Sequence, residues 1–171
     1  KRHYLDQVPK AMSAARRHST PLALIVIDID HFKLINDNHG HVSGDFVLAA
    51  VGRTIRETIR DYDAAYRYGG EEICIVAPGN DYPAALAFGE RLRLALESQR
   101  IVGDKGQELR ITASLGVCLW TPQMSRLSDF LADADEWLYK AKQEGRNQVR
   151  PRLKEIGQAP SKMAGAASKS S

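Results

Sequence analysis

Apolar residues recur three or four positions apart in five stretches of the chain, the spacing that places them on one face of an α-helix. The pattern predicts helices from the start of the chain to about His18 and Ser19, over His31–His39, from Ser43 through Ile55, over Pro83–Gln99 and over Leu127–Glu144.

Local residues refine these helices. Pro9 lies inside the first helix, so we expect a helix that restarts with Pro9 in its first turn. Gly40 is a natural C-terminal cap for the second helix, and Gly145 for the last. Ser43 is expected to cap the third helix. The apolar face of that helix is expected to comprise Phe46, Val47, Ala50, Val51 and Ile55.

The remaining hydrophobic runs have the character of strands. Leu22–Ile27 is continuously apolar and ends at Asp28, which predicts a strand buried on both faces. Two further runs flank Gly69–Gly70, a pair that predicts a two-residue hairpin turn with positive φ at both glycines. These runs and the other predicted strand segments are Ala64–Tyr68, Glu71–Ala77, Ile111–Trp120 and a short edge strand at Gln148–Arg150, with a small excursion over Ile101–Arg110 that turns at Gly103–Gly106.

The order of elements is helix, strand, helices, hairpin, helix, strand, helix. An antiparallel hairpin among α–β crossovers favours an α+β fold with one mixed, mostly antiparallel sheet flanked by helices over a purely parallel sheet.

Charge separates the chain into two parts. The 171 residues carry 24 Lys and Arg against 21 Asp and Glu, and 43% are hydrophobic, which excludes wholesale disorder. The whole excess of three positive charges lies in 151–171, so residues 1–150 are balanced. We expect a domain over 1–150 and a flexible basic tail over 151–171, with no nucleic acid as partner.

Several other classes of protein are excluded by the sequence. The longest strongly apolar run has six residues, too short for a membrane span, and no signal peptide or lipidation motif is present. Cys74 and Cys118 lack metal-ligand spacing and are expected to be buried thiols in a reducing compartment. We expect a cytoplasmic domain. Because the chain starts inside a helix, we expect it to be part of a longer protein, and a membrane anchor elsewhere in that protein is compatible with this.

Carboxylates follow two of the predicted strands. Asp28 and Asp30 come after the buried run, and Glu71 and Glu72 come after the hairpin turn. Buried carboxylates are costly unless they are paired, and a divalent cation is their usual partner. Only one of the two glutamates can face a shared site from a regular strand. The bare backbone of Gly69–Gly70 would let a phosphate or sugar approach closely. Either motif alone is also compatible with a hairpin carrying solvated acids.

Four segments, DIDHFKLINDNHGHVSGD, RYGGEEI, ITASLGV and YKAKQEGRN, occur in the order and spacing of a known family. Over about residues 1–150 the chain resembles the GGDEF family of diguanylate cyclases. The resemblance implies a fold similar to the palm domain of nucleotidyl cyclases, and an enzyme that joins two GTP into cyclic di-GMP and releases two pyrophosphates. The family's opening segment is missing, so we expect the chain to begin just inside the domain.

The resemblance also implies the catalytic and metal-binding residues. Asp28, the carbonyl of Ile29 and Glu71 match the ligands of Mg²⁺, for which Mn²⁺ can substitute. Asp28, Glu71 and Glu72 match the catalytic acids. The role of Glu72 stays open between a second metal, the 3′-hydroxyl proton and a backbone contact. Ile73 stands where the family usually has Phe, a change that an apolar strand position should tolerate.

Residues that bind the nucleotide are implied in the same way. Asn36 and Asp45 match the guanine readers, and an Asp carboxylate accepts from guanine but not from the acceptor N1 of adenine. Lys142 and Arg146 match phosphate contacts and, four apart, are expected to share a helix face, although alone they would suggest a solvated helix end. The remaining members of the substrate-binding set are His31, Phe32, Lys33, Gly69 and Gly70.

A second site is implied by Arg60 and Asp63, which match the family's RxxD motif for inhibition by the product, with Arg91 as the supporting arginine. RxxD alone would suggest an exposed ion pair. His39 and His41 are expected to be turn residues, because no third metal ligand has matching spacing.

Because one site holds one GTP, the resemblance implies catalysis by a homodimer, brought together by a sensor or dimerisation domain upstream. Two other functions stay open. A degenerate domain could bind GTP or cyclic di-GMP as a receptor, and a related palm domain could act on another nucleotide. Asn36 and Asp45 argue against the latter.

Overall fold

A computed structural model describes residues 2–156, with side chains from residue 7 onward, so the expectation of a flexible segment over 157–171 lies outside the described residues. The elements in chain order are α1 (Arg2–His18), β1 (Leu22–Ile29), α2 (Phe32–Thr58), β2 (Ala64–Arg67), β3 (Glu72–Pro78), α3 (Tyr82–Glu97), β4 (Ile101–Val102), β5 (Glu108–Leu109), β6 (Ala113–Leu119), α4 (Leu127–Gln143), β7 (Val149–Arg150) and a 3₁₀ helix (Leu153–Glu155).

Five strands form one sheet in the order β2-β3-β1-β6-β7. All neighbours are antiparallel except β6 and β7, which are parallel, and β4 pairs with β5 in a separate small hairpin. This confirms the prediction of an α+β fold with a mixed, mostly antiparallel sheet and an edge strand near residue 149.

Helices cover both faces of the sheet, which explains the unbroken apolar run of β1. Ile25 and Ile27 pack into a cluster with α2 and α3, whereas Leu24 and Val26 pack into a second cluster with α1 and α4. All eight residues of β1 are buried. Burying a strand on both faces places its final residues, including Asp28, deep in the molecule at the sheet's end.

Three predictions about the first helices are wrong. α1 runs through Pro9 without restarting. Ser43 is buried inside α2 and does not act as its N-cap, because its hydroxyl donates to Asp104 Oδ1 at 2.7 Å in the β4–β5 hairpin. Phe46 is 44% exposed and so lies off the buried face of α2. The predicted break at Gly40 is confirmed, since its φ of 81° divides α2 into two segments.

The connection between β2 and β3 also differs from the prediction. The loop comprises Tyr68–Glu71, and the carbonyl of Glu72 accepts from the N–H groups of both Tyr68 (3.1 Å) and Gly69 (3.3 Å). Neither Gly69 nor Gly70 adopts positive φ. The two-residue turn is therefore wrong, and Glu71 belongs to the loop while Glu72 begins the strand.

Residues 151–156, the last that the structure describes, are held against the rest of the fold. Pro151 is buried, and Glu155 of the 3₁₀ helix lies 3.4 Å from Lys140 Nζ of α4. Both cysteines are buried and form no disulfide, as expected. Among the described residues, no helix has the length and apolar character needed to cross a bilayer.

Candidate active site

The predicted acids meet where β1 and β3 lie side by side. Asp28 of β1 is the register partner of Glu72 of β3, so two carboxylates stand directly opposite each other. Asp28 is only 7% exposed. Lys142, in the last turn of α4, places its Nζ 2.8 Å from Asp28 Oδ2. The cluster joins the centre of the sheet to the C-terminal end of α4.

The electrostatics of this cluster favour a cation. Burial raises the pKa of Glu72 above its usual value, and the neighbouring carboxylates of Asp28 and Asp135 raise it further. Burial also raises the pKa of Asp135, whose Oδ1 accepts a hydrogen bond from the Tyr68 hydroxyl at 3.2 Å. Asp135 was not singled out from the sequence, since an acid on a helical surface has no distinguishing pattern. Among the groups that shift the pKa of Glu72, Lys142 is the one that lowers it.

The available donors fit a hard divalent cation. The Asp28 and Glu71 carboxylates and the Ile29 carbonyl are oxygen ligands of the kind that Mg²⁺ prefers. Within residues 2–156, no group of three His, Cys, Asp or Glu side chains is gathered closely enough to hold a metal alone. Mg²⁺ usually takes one or two protein carboxylates and completes its shell with substrate phosphates and water, so this sparse donor set suits it.

Gly69 leaves the space that the side chain of Glu72 occupies. A methyl group built at Gly69 would overlap the Glu72 carboxylate, which folds back over the loop. Glu71 is half-buried in the same loop and lines a cleft that Glu72 does not line. Because Glu71 lies in the loop and β3 begins at Glu72, strand alternation does not decide which glutamate reaches the site.

A cleft of about 500 Å³ lies between α2 and the β2–β3 loop. It brings together six of the predicted site residues and four others. Its lining comprises Phe32, Lys33, Asn36, Asp37, His41, Asp45, Leu48, Arg67, Gly70 and Glu71. The predicted residues Asp28, Ile29, His31, Gly69, Glu72, Lys142 and Arg146 are not part of this lining.

The kink in α2 places Asn36 and Asp45 on the same cleft. Asn36 belongs to the segment before Gly40 and Asp45 to the segment after it. Gly44 lies under the Asn36 side chain, and a methyl group there would overlap the carboxamide. The requirement for glycine at position 44 was missed from the sequence, because it depends on the helix segment on the other side of the kink.

Arg67 is a further residue that sequence reasoning did not assign. Its Nε donates to the carbonyl of Gly70 at 2.9 Å, which ties the end of β2 to the loop. The side chain also lines the cleft. An arginine at the end of an edge strand is ordinary in a sequence, so only the folded loop reveals this contact.

The predicted pairing of Lys142 and Arg146 on one helix face is wrong. α4 ends at Gln143, and Arg146 lies beyond Gly145 with a left-handed φ of 63°. Arg146 is exposed, while the Lys142 ammonium is engaged by Asp28. Lys142 therefore belongs to a helix and Arg146 to the loop that follows it.

Asp30 differs from Asp28 in that its carboxylate is fully used within the fold. Its oxygens accept from Thr112 Oγ1 (2.7 Å), Ser114 Oγ (2.7 Å) and the backbone N–H of Asn147 (3.0 Å). β1 ends at Ile29, so Asp30 lies just beyond the strand. This acid fastens the end of β1 to its neighbours, whereas the carboxylate of Asp28 pairs with Lys142.

The RxxD segment forms a turn rather than an exposed ion pair. Asp63 is buried and its Oδ2 accepts from the backbone N–H of Arg60 at 2.9 Å. The Arg60 guanidinium donates to the Tyr62 hydroxyl at 2.7 Å. Arg91 of α3 donates to the carbonyl of Thr58 at 3.3 Å, and Thr58 lies two residues before Arg60. The structure therefore brings the two predicted arginines to the same end of α2.

His39 and His41 flank Gly40 but face different cavities. His41 lines the 500 Å³ cleft, whereas His39 and the predicted His31 line a second cavity of about 390 Å³ on the other side of α2.

Comparison with known proteins identifies the relatives of this chain. A family model described as "Diguanylate cyclase, GGDEF domain" matches residues 1–148. Diguanylate cyclase A of Treponema denticola is 40% identical over 128 residues, which are 75% of this chain and 34% of that protein. The probable diguanylate cyclase DgcC of Escherichia coli is 37% identical over 149 residues, which are 87% of this chain and 40% of that protein.

The fold is likewise similar to solved structures. The GGDEF domain of DgcB from Caulobacter crescentus, solved in complex with c-di-GMP, superposes with a TM-score of 0.82 at 30% identity, covering 87% of this chain and 88% of that one. The chain spans less than half the length of the curated relatives that it matches.

Proposed function

The chain belongs to the GGDEF family of diguanylate cyclases, and on that premise we propose that it condenses two GTP molecules into cyclic di-GMP with release of two pyrophosphates. The observation that carries this proposal is the convergence of Asn36, Asp45, Lys33 and Glu71 on one cleft of about 500 Å³. A cleft of that size suits a nucleotide.

Two residues of the cleft, Asp45 and Asn36, support a preference for guanine. The Asp45 carboxylate offers two acceptors, which match the N1–H and N2–H₂ donors of guanine. Adenine presents an acceptor at N1, which the carboxylate would repel. Asn36 can both donate and accept through its carboxamide, and Gly44 leaves the space that this side chain needs. A palm domain for another nucleotide would need a different pair at these positions.

Asp28, the Ile29 carbonyl and Glu71 would hold the cation that accompanies the triphosphate. When bound, Mg²⁺ or Mn²⁺ supplies positive charge that stabilises the α-phosphoryl group during attack by the 3′-hydroxyl of the other GTP. Lys33, Lys142 and Arg146 would contact the phosphates. Lys142 Nζ lies 2.8 Å from Asp28 Oδ2, so contact of Lys142 with a phosphate oxygen would require this ion pair to open.

The carboxylate of Glu72 is suited to proton transfer. Burial and the neighbouring acids raise its pKa. We assign Glu72 to the 3′-hydroxyl proton, with Asp28 as its neighbour across the strand pair.

One cleft accommodates one GTP, so formation of two phosphodiester bonds requires two chains whose clefts face each other. A homodimer is therefore part of the proposal, as is a sensor or dimerisation domain in the parent protein that promotes the encounter. Arg60, Asp63 and Arg91 would bind cyclic di-GMP as inhibitor, since guanidinium groups pair with phosphate and with the guanine edge.

The rival function is a receptor that binds GTP or cyclic di-GMP without turnover. Ile73 is the only departure in the signature, and it lies 7% exposed between β1 and β2 with ordinary strand packing. Incubation with GTP and Mg²⁺ followed by detection of cyclic di-GMP separates the two functions. Binding of GTP without product would favour the receptor.

A further inference from the structure

A polar cluster outside the cleft connects α3 to the loop that follows α4. Its centre is Asn147, whose three polar groups bond to three different residues. The backbone N–H donates to Asp30 Oδ2 (3.0 Å), the carboxamide oxygen accepts from Arg93 Nη1 (2.7 Å), and Nδ2 donates to Glu97 Oε1 (2.7 Å). We refer to Asn147 with these three partners, Asp30, Arg93 and Glu97, as the Asn147 clamp.

Arg93 is the buried anchor of the clamp. It is only 9% exposed and donates to Glu90 at 2.7 and 2.9 Å and to Glu97 at 2.7 Å. These partners satisfy a guanidinium that would otherwise be costly to bury. Its bonds to Glu90 above all keep the pKa of Arg93 above its usual value, and Arg93 and Asn147 lower the pKa of Glu97. Arg93 is therefore positively charged and Glu97 negatively charged throughout the neutral pH range.

The clamp is close in sequence to Arg146, which is proposed to contact the phosphates, and to Asp28, which is proposed to bind the metal. Arg146 precedes Asn147, and both have left-handed φ angles, of 63° and 44°. Consecutive left-handed residues other than glycine persist only where surrounding contacts impose them. At its other end the clamp fixes Asp30, one residue after Ile29 and two after Asp28. Asn147 thus holds the loop that carries Arg146 against the end of β1, the strand that carries Asp28.

We propose that Arg93 and Asn147 are positioning residues, which hold Arg146 where it contacts the phosphates of bound GTP. This inference rests on the proposed function, because it assigns Arg146 to the triphosphate. The clamp orders the loop before the nucleotide arrives, which reduces the entropy lost on binding. Its effect is confined to the phosphates, since Asn36 and Asp45 read the base from a different element, α2.

Binding measurements with two probes test this directly. The probes are 3′-deoxy-GTP, which cannot cyclise, and 3′-deoxyguanosine, which lacks phosphates. Asn147→Gly keeps the backbone N–H and accepts the left-handed φ while removing both side-chain bonds. We expect the Kd for 3′-deoxy-GTP to rise about tenfold and that for 3′-deoxyguanosine to change by less than about twofold. Arg93→Met should act in the same direction, and Arg93→Lys should give an intermediate loss.

A double-mutant cycle adds a readout that a merely structural role would not move. In an Arg146→Ala background, Asn147→Gly should cause no further loss of 3′-deoxy-GTP affinity, because the clamp then has no cation to position. Equal losses for both probes, or losses that add fully in the double variant, would overturn the inference. If the unaltered chain binds 3′-deoxy-GTP but makes no cyclic di-GMP from GTP, the proposed activity fails and the inference stands. If it does not bind 3′-deoxy-GTP, both fail.

Discussion

Lys142 Nζ lies 2.8 Å from Asp28 Oδ2 and so ties the last turn of α4 to the end of β1. The proposal gives these residues different partners when substrate is bound, a phosphate for Lys142 and a cation for Asp28. The ion pair therefore competes with both, and its opening is part of the cost of binding.

Replacing Lys142 should separate these two effects. In Lys142→Met, the freed Asp28 oxygen should bind Mn²⁺ more tightly in the nucleotide-free chain, while the affinity for 3′-deoxy-GTP should fall, each by roughly five- to tenfold. Calorimetry with each probe measures both changes. Lys140→Met is the matched control, because Lys140 lies on the same helix but faces Glu155 and the Trp137 ring. Changes of the same sign for both probes would contradict the competition.

Gly44 should be essential for nucleotide binding although it contacts no substrate in the proposal. Gly44→Ala should weaken GTP binding by about tenfold or more, because the added methyl overlaps the Asn36 carboxamide and displaces it. Gly52→Ala on the same helix is the control, since its nearest neighbour is an Arg56 nitrogen at an ordinary 3.7 Å. That variant should stabilise the fold by about 0.5–1 kcal/mol without changing GTP affinity. Equal GTP affinities in the two variants would argue against this role of Asn36.

Asp45 should determine the choice of base. Asp45→Asn places an amide donor opposite guanine donors, so kcat/KM for GTP should fall by about 100-fold or more and the preference over ATP should shrink. Asp37 lines the same cleft and provides the control. Asp37→Asn should change kcat/KM for GTP and the preference over ATP by less than about threefold. Competition between GTP and ATP for the two variants measures the preference. An unchanged preference in Asp45→Asn would remove Asp45 from the guanine site.

Product inhibition should depend on Arg60. Arg60→Ala should keep the initial rate and lose inhibition at high cyclic di-GMP, because Arg60 lies beyond the end of α2 and does not line the cleft. Arg53→Ala, an exposed arginine of α2, serves as control. Progress curves at several added concentrations of cyclic di-GMP provide the measurement. Inhibition that is unchanged in Arg60→Ala contradicts the assignment.

Both cysteines should be inert in the folded chain. Burial raises the pKa of Cys74 to about 12 and also raises that of Cys118, so almost no reactive thiolate is present at pH 8. A thiol reagent should modify neither in the native state and both after denaturation. Ser125→Cys, at an exposed loop position, should react at once as a positive control. Rapid native labelling of Cys74 would show that β3 opens readily.

The structural features that could be predicted best from the sequence are those that depend on residues adjacent in the chain. β1 followed from one apolar run, and the break in α2 followed from Gly40, because burial on both faces and left-handed backbone leave clear local patterns. The Gly69–Gly70 turn was mispredicted because two N–H groups converge on the Glu72 carbonyl and give a longer loop. Local propensity does not encode that choice.

Contacts between distant residues could not be predicted in this way. Asp30 and Asn147 are 117 positions apart, and neither belongs to a pattern that marks a hydrogen bond between them. The same holds for Ser43, whose hydroxyl was expected to cap its own helix and instead bonds to Asp104 in the hairpin. A polar side chain has several possible partners, and only the tertiary fold selects one.

The central claim is turnover, and the formation of cyclic di-GMP from GTP and Mg²⁺ as a function of chain concentration tests it most directly. Glu71→Gln, which removes one proposed metal ligand, is the inactive control. The account predicts two pyrophosphates for each cyclic di-GMP, an initial rate per chain that rises with concentration as dimers form, and no product from Glu71→Gln. GTP binding without cyclic di-GMP at every concentration would contradict it.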